Sequence, residues 1–218
     1  MTPSRHPVVQ GAFSEAFRAE LKELMRWRRD VRRFRTDPVE PAVLDRCLAA
    51  FDLSPSVGLS EPWRIIRLES AEARRAARKN FEAANAEALA GYSGEAASRY
   101  ASLKLSGLDQ APVLFAVYCD DQTTKGAGLG AATMPEMRAY SVVGAIAMFW
   151  LALRAEGLGL GWVSILDAAW LSRDLAVPTG WRLIGLLCVG WPETQDPVPE
   201  LEQLGWEERA ADLWMETR

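Results

Sequence analysis

The run from Ala139 to Leu153 carries no charged residue and, at roughly fifteen residues, is too short to cross a bilayer. It lies within a helical stretch, Tyr140 to Glu156, that is apolar nearly all round and includes the small residues Gly144, Ala145 and Ala147. Such a helix has to be covered on every side, by its own fold or by another subunit. Gly157 follows, where a left-handed turn can end it. APVLFAVYCD (111–120) is an apolar run of strand length and reads as a strand buried on both faces. Ile65, Ile66 and Leu68 suggest a short strand, GWVSI (161–165) an extended segment, and WRLIGLLCVGW (181–191) a last strand. Helices are expected after a Ser14 cap, through Val43 to Phe51, over 71–90, around 95–105 and at 168–175. Helices outnumber strands, and the strands are too few for an eight-stranded barrel. The expected class is α+β, a small sheet covered by helices in one domain over residues 1–218. An acid-rich tail, about 192–218, is expected to wrap the surface or a partner subunit.

Composition closes several routes to function. Cys47, Cys119 and Cys188 stand about seventy residues apart in apolar surroundings, an odd count that fits neither a metal knuckle nor a disulfide framework. They read as buried free thiols in a reducing cytoplasm. The first twenty residues lack the apolar core of a signal peptide, which also points to the cytoplasm. His6 is the one histidine, in an end segment, so histidine triads and most histidine-ligated metal sites are excluded. The expected metal set is none. Chemistry here has to use carboxylates, hydroxyls, arginines or a borrowed cofactor.

Charge is concentrated in one place. Arg26, Arg28, Arg29, Arg32, Arg33 and Arg35 surround Asp30 in RWRRDVRRFR, although the chain as a whole has net charge −4. A solvated basic turn at a helix end is one account. A nucleic-acid patch is a second, and it demands a broader basic face than this chain has. A third is a site for one compact phosphate, since forked guanidinium groups suit phosphate oxygens. Alternation through Arg28, Asp30 and Arg32 in an extended turn would aim these three to one side. Gly126, Gly128 and Ala131 satisfy G-x-G-x-x-A, but DDQTTK separates them from the preceding strand and Pro135 stands where a helix should be running. A mobile loop is the better reading there. EGLGLG (156–161) ends a helix rather than opening one, and it lacks the Gly-Lys-Ser/Thr of a P-loop.

RRDVRRFR, followed by PSVGLSEPW (55–63), AEGLGLGWVSILD (155–167) and CVGWPE (188–193), resembles the nitroreductase-like flavoproteins in order and spacing. That family typically shows R-R-S-x-R-x-F, a P-S-x-x-N-x-Q-P-W loop and a G-Y-P-type final strand. This chain departs from it: Asp30 replaces the serine, Leu59 the asparagine and Glu61 the glutamine, and Ser164 stands in GWVSI. The departures look like the aerobic 5,6-dimethylbenzimidazole synthase branch, whose members consume reduced FMN and oxygen. The resemblance implies a small mixed, mainly antiparallel sheet flanked by helices in a homodimer, with FMN at the interface. It implies a phosphate held by Arg28, Arg29 and Arg32, with Ser56 reaching the flavin from another direction. Trp162 to Ser164 would pass near the flavin N5.

Asp30, ringed by arginines, is expected to be ionised. Its bland role is an ion-pair clasp; its functional role is a base toward the ribityl chain, and the two are compatible. Ser56 and Ser164 have bland readings too, as a turn serine and a strand filler. The implied reaction uses NAD(P)H indirectly, through a separate flavin reductase, and yields erythrose 4-phosphate beside the benzimidazole. Phe81 to Leu108 and the loop at 121–137 are candidate lids that keep water out. On the same fold the rivals are an NAD(P)H-dependent nitroreductase or quinone reductase and a reductive dehalogenase; a non-catalytic flavin carrier is a further one.

Overall fold

Strand β2 decides the architecture, because its side chains alternate between two separate cores. The computed structural model describes residues 12–102 and 107–218; His6 lies outside them. In chain order the elements are α1 (Glu15–Trp27), α2 (Pro41–Leu48), β1 (Trp63–Arg67), α3 (Ala71–Ala90), α4 (Gly94–Ser102), α5 (Gly107–Gln110), β2 (Val113–Asp120), α6 (Met137–Ala155), β3 (Gly159–Val163), α7 (Ala168–Asp174), β4 (Trp181–Gly190) and α8 (Glu200–Gln203). Val113, Phe115, Val117 and Cys119 pack with Leu44, Phe51, Ile146 and Phe149, which belong to the α2 and α6 side or its connections. Leu114, Ala116 and Tyr118 pack with Ala77, Leu108 and Leu171, on the α3, α5 and α7 side. A strand covered on both faces is apolar without interruption, as 111–120 is.

The sheet order is β1-β2-β4-β3. Every pairing is antiparallel, so the expected mixed sheet is corrected. A single parallel bridge, Asp30 to Leu160, joins the chain before α2 to the open edge of β3. β1 and β3 are therefore opposite edges, three interstrand spacings or about 14 Å apart. The β2–β4 register slips between Val117 and Tyr118. The bulge leaves Ile184 unpaired in the ladder, and its carbonyl accepts the Trp162 indole N–H at 3.3 Å.

Helix α6 lies along the sheet, with Val142, Ala145, Ile146, Phe149 and Leu153 buried. It satisfies the length and hydropathy criteria for a membrane span. Its other face is open: Tyr140, Val143 and Met148 are exposed, and a Cβ on Gly144 would meet nothing. The three cysteines are free and buried. Residues 121–134 form successive turns and no helix, so the G-x-G-x-x-A match is not a dinucleotide turn.

Candidate functional site

The arginine segment is held by its apolar residues. Val31 donates its N–H to the Leu160 carbonyl at 3.0 Å, Arg35 donates to Trp191 at 2.8 Å, and Glu193 donates to Arg33 at 3.2 Å. Phe34 is buried in the core. This stitching lays residues 30–35 across the edge of β3 and the end of β4, and it explains the glycines of EGLGLG. A Cβ on Gly161 would stand 2.2 Å from the Val31 carbonyl oxygen, and one on Gly159 would stand 2.6 Å from a Val31 methyl. Nothing larger than glycine lets the two backbones approach this closely.

With Phe34 turned inward, the charged residues that precede it face an open cleft of about 70 Å³. Arg29, Arg32, Arg33 and Arg154 line it together with Trp27 and Trp150; the acids Asp30, Asp196 and Glu200 share the wall. Arg29 Nε donates to the Pro197 carbonyl at 2.7 Å, and Arg33 pairs with Glu200 at 3.0 Å. The Arg32 side chain is only 10% exposed and its Nε lies 3.7 Å from Asp30 Oδ2. Arg28 stacks its guanidinium over the Trp150 ring, 4.6 Å from the centroid. The expected alternation of Arg28, Asp30 and Arg32 is thus corrected: Arg29, Arg32 and Arg33 line the cleft, and Arg28 reaches it through Trp150. Burial first, and then Arg28, lowers the Arg29 guanidinium from its ordinary value.

Asp30 sits where a neighbouring strand's carbonyl would lie. Its Oδ1 accepts the Trp162 N–H at 3.0 Å. Surrounding protein pushes the carboxyl above the ordinary aspartate value, against the lowering effects of the Trp162 N–H, Arg32 and Arg28. The expectation that the arginines dominate is corrected in direction: desolvation outweighs them. Since 42% of the side chain stays open to the cleft, the push is limited by solvent.

Ser164 belongs to the same edge. Leu160 and Trp162 turn their backbone groups away from β4, toward Val31 and Asp30. An extended chain presents the next outward N–H two residues on, at Ser164, about 7 Å further along the edge. The side chain of Ser164 is exposed. It opens on a groove shared with Ala83, Ala84 and Glu87 of α3 and with Trp170.

Ser56 does not join them. Its hydroxyl accepts the Glu61 N–H at 3.0 Å, the local turn role. Its loop leads into β1, whose first residue, Trp63, pairs with Cys119 at the end of β2. Asp30 meets Leu160, which pairs with Val189, itself opposite Val113 at the start of β2. Ser56 and Asp30 therefore occupy diagonal corners of the sheet, and one chain does not bring them together. Gln195, Thr194 and Arg154 line the cleft but were not among the expected site residues. Only their position after the G-W-P strand end, or on the last turn of α6, could have hinted at them.

The sequence pattern of the nitroreductase family matches residues 25–191. The chain belongs to the nitroreductase family. Within it, the chain is 50% identical over 197 residues to a 5,6-dimethylbenzimidazole synthase of Rhodospirillum rubrum, covering 90% of this chain and 93% of that one. It is 46% identical over 202 residues to a protein of the same name from Rhodobacter capsulatus, covering 93% and 98%. Among solved structures, iodotyrosine deiodinase bound to FMN and 3-iodo-L-tyrosine matches with a TM-score of 0.72 at 22% identity, covering 91% of this chain and all of that one. That likeness fixes the nitroreductase fold.

Proposed function

We propose that this chain is an oxygen-dependent 5,6-dimethylbenzimidazole synthase, which fragments reduced FMN into 5,6-dimethylbenzimidazole and erythrose 4-phosphate. One observation carries the reading beyond the family. Asp30, where nitroreductases place a serine, holds a carboxylate against the Trp162 N–H inside an arginine-lined cleft at the edge of β3, and Ser164 follows the end of that strand, on a separate groove. The curated relatives of that name support the same conclusion.

The residues present fit FMN. The cleft on one chain holds only about 70 Å³ of open space, less than a whole cofactor fills, so it would take the phosphate end: a phosphate dianion in it would meet Arg29 and Arg32, with Arg28 beside them. Each charge-assisted hydrogen bond contributes about 1.5–3 kcal/mol. Bound reduced FMN supplies the ring and the electrons that oxygen consumes. Asp30, aimed by the Trp162 amide, takes a proton from the ribityl side of the ligand, and its raised proton affinity suits it to that task. The N–H and hydroxyl of Ser164 are the groups that would be offered to the flavin near N5. Arg32, close to Asp30, keeps the carboxylate oriented while the proton is absent.

Ser56 reaches this site from a second copy of the chain. The open stripe of α6, Tyr140, Val143, Gly144, Ala147 and Met148, recurs at helical spacing and supplies the apolar surface a homodimer buries. A separate NAD(P)H-dependent flavin reductase supplies the reduced FMN.

The test is a single turnover. Protein mixed with reduced FMN in air should yield a species of the mass of 5,6-dimethylbenzimidazole and lose FMN in equal amount. Recovery of all the FMN, with steady NADPH consumption in the presence of a nitroaromatic, would assign a reductase instead.

A further inference from the structure

The loop that carries Ser164 runs from the end of β3 at Val163 to Asp167. Asp167 caps α7 by itself, accepting the Trp170 N–H on its carboxylate at 2.8 Å. The backbone of Asp167 is held by something else. Asn80, in the middle of α3, is fully buried. Its amide donates to the Asp167 carbonyl at 2.9 Å, and its carbonyl accepts the Asp167 N–H at 3.0 Å. Donor and acceptor of a planar carboxamide point the same way, so a closed pair of bonds to one residue fixes both distance and rotation.

Burying an amide in a helix face that packs on apolar surface is costly unless both of its functions are used. An alanine stands buried one turn earlier at Ala77, so an apolar residue could serve the packing of α3 at this depth. The cap of α7 does not need Asn80 either. What the pair does hold is the anchor of the Ser164 loop, across the groove from Ala83 and Glu87.

We propose that Asn80 is a positioning residue for Ser164: by clamping the Asp167 backbone it sets where the serine hydroxyl stands over the bound ligand. This rests on the role given to Ser164 above. Asn80 touches no reacting atom. It acts by holding the loop three residues downstream, and small displacements of a group that must meet a ligand cost rate steeply.

Asn80→Asp keeps size and acceptor but loses the donor; Asn80→Leu loses both. With FMN binding retained, the benzimidazole formed per FMN oxidised at room temperature should fall on the order of ten- to hundredfold. In a Ser164→Ala background the same change should add much less than its full fall, because the displaced loop then has only the backbone N–H left to misplace. Hydrogen exchange should accelerate at the amides of 164–167 while β2 and β4 keep their protection. A general loss of stability alone would change neither the product ratio of folded protein nor exchange confined to this loop. A full additional fall on top of Ser164→Ala, or unchanged exchange at 164–167 in folded Asn80→Asp, would overturn the proposal. Should Asn80→Leu not fold, the isosteric Asn80→Asp decides alone. If the unmodified protein forms no benzimidazole, the proposed function fails, and the exchange measurement still judges Asn80.

Discussion

The segment 28–35 and the loop 55–62 lie at diagonal corners of one sheet and are built in opposite ways. The first is stitched down: Val31, Arg35 and Arg33 each take part in a backbone bond to another segment, and Phe34 is buried. Its charged side chains are held by defined partners, Asp30 by the Trp162 amide and Arg29 by the Pro197 carbonyl. The second is strained and unfinished. Leu59 and Glu61 adopt positive φ, at 54° and 43°, where a side chain costs about 1–2 kcal/mol. Leu59 is 72% exposed. The loop is tied to its own chain by the Val57 N–H to Ser141 and by the Glu61–Lys125 pair, and its strain and exposed apolar surface are what the proposed contact with a second copy would use. On the proposed function, one corner is a half-site and the other would complete the half-site of a second copy.

The harshest test of this contrast is Gly161→Ala. The new Cβ has to displace Val31 from the β3 edge, which should cost about 3 kcal/mol and weaken FMN binding more than a hundredfold, because Arg29 and Arg32 move with it. Thermal melting and flavin-fluorescence titration check both. Retained FMN affinity would mean that the stitching does not build the site.

Arg32→Ala should come next, with FMN affinity reduced about ten- to a hundredfold by loss of a charge-assisted contact. The same titration on riboflavin, which lacks the phosphate, should show little change. An equal loss for both ligands would move the phosphate elsewhere.

Asp30→Asn separates chemistry from binding. Product should vanish while FMN affinity stays close to that of the unmodified protein, as judged by mass spectrometry and titration. Its stability effect has a definite sign. Folding raises the Asp30 pKa above 3.8, so the native state binds the proton more tightly, and stability contributed by protonated Asp30 is lost as pH rises through the folded value. Asparagine keeps the Trp162 contact without the charge. The variant should therefore melt higher than the unmodified protein at pH 7, and the gap should close below the ordinary aspartate value.

The smallest effect belongs to the other corner. Glu61 pairs with Lys125 on the surface, and Glu61→Gln should change stability by less than about 1 kcal/mol. A larger loss would show that the loop is organised within its own chain.

The sequence foretold elements better than contacts. The alanine-rich helix was expected over 71–90 and spans Ala71–Ala90, because propensity is local. Helix α6 begins at Met137, earlier than Tyr140, since Pro135 precedes its first turn and does not block it. Strand β3 spans Gly159–Val163, two residues earlier at each end than the extended segment expected over 161–165. Its glycines answer to a backbone well over a hundred residues away, which no local pattern reveals. The arginine cluster and its lone acid were plain in the sequence. That desolvation governs Asp30 was not, because the Trp162 amide and the burial come from the fold. Asn80 stands in a polar, alanine-rich helix whose pattern marks no residue for burial; tertiary structure turns it inward. For Ser56 the turn hydrogen bond is what the residue type alone suggests.

The most direct measurement is complementation between two damaged chains. Asp30→Asn injures the stitched corner and Ser56→Asp, which sets a carboxylate toward the flavin, injures the strained one, so each homodimer alone should make little 5,6-dimethylbenzimidazole. Mixed dimers purified with two different tags should regain substantial product, because both lesions fall in one site and the other site is intact. Mixed dimers as inactive as their parents would place Ser56 and Asp30 in the same chain's site, a fully active Ser56→Asp homodimer would place Ser56 in no site, and either result would contradict the account.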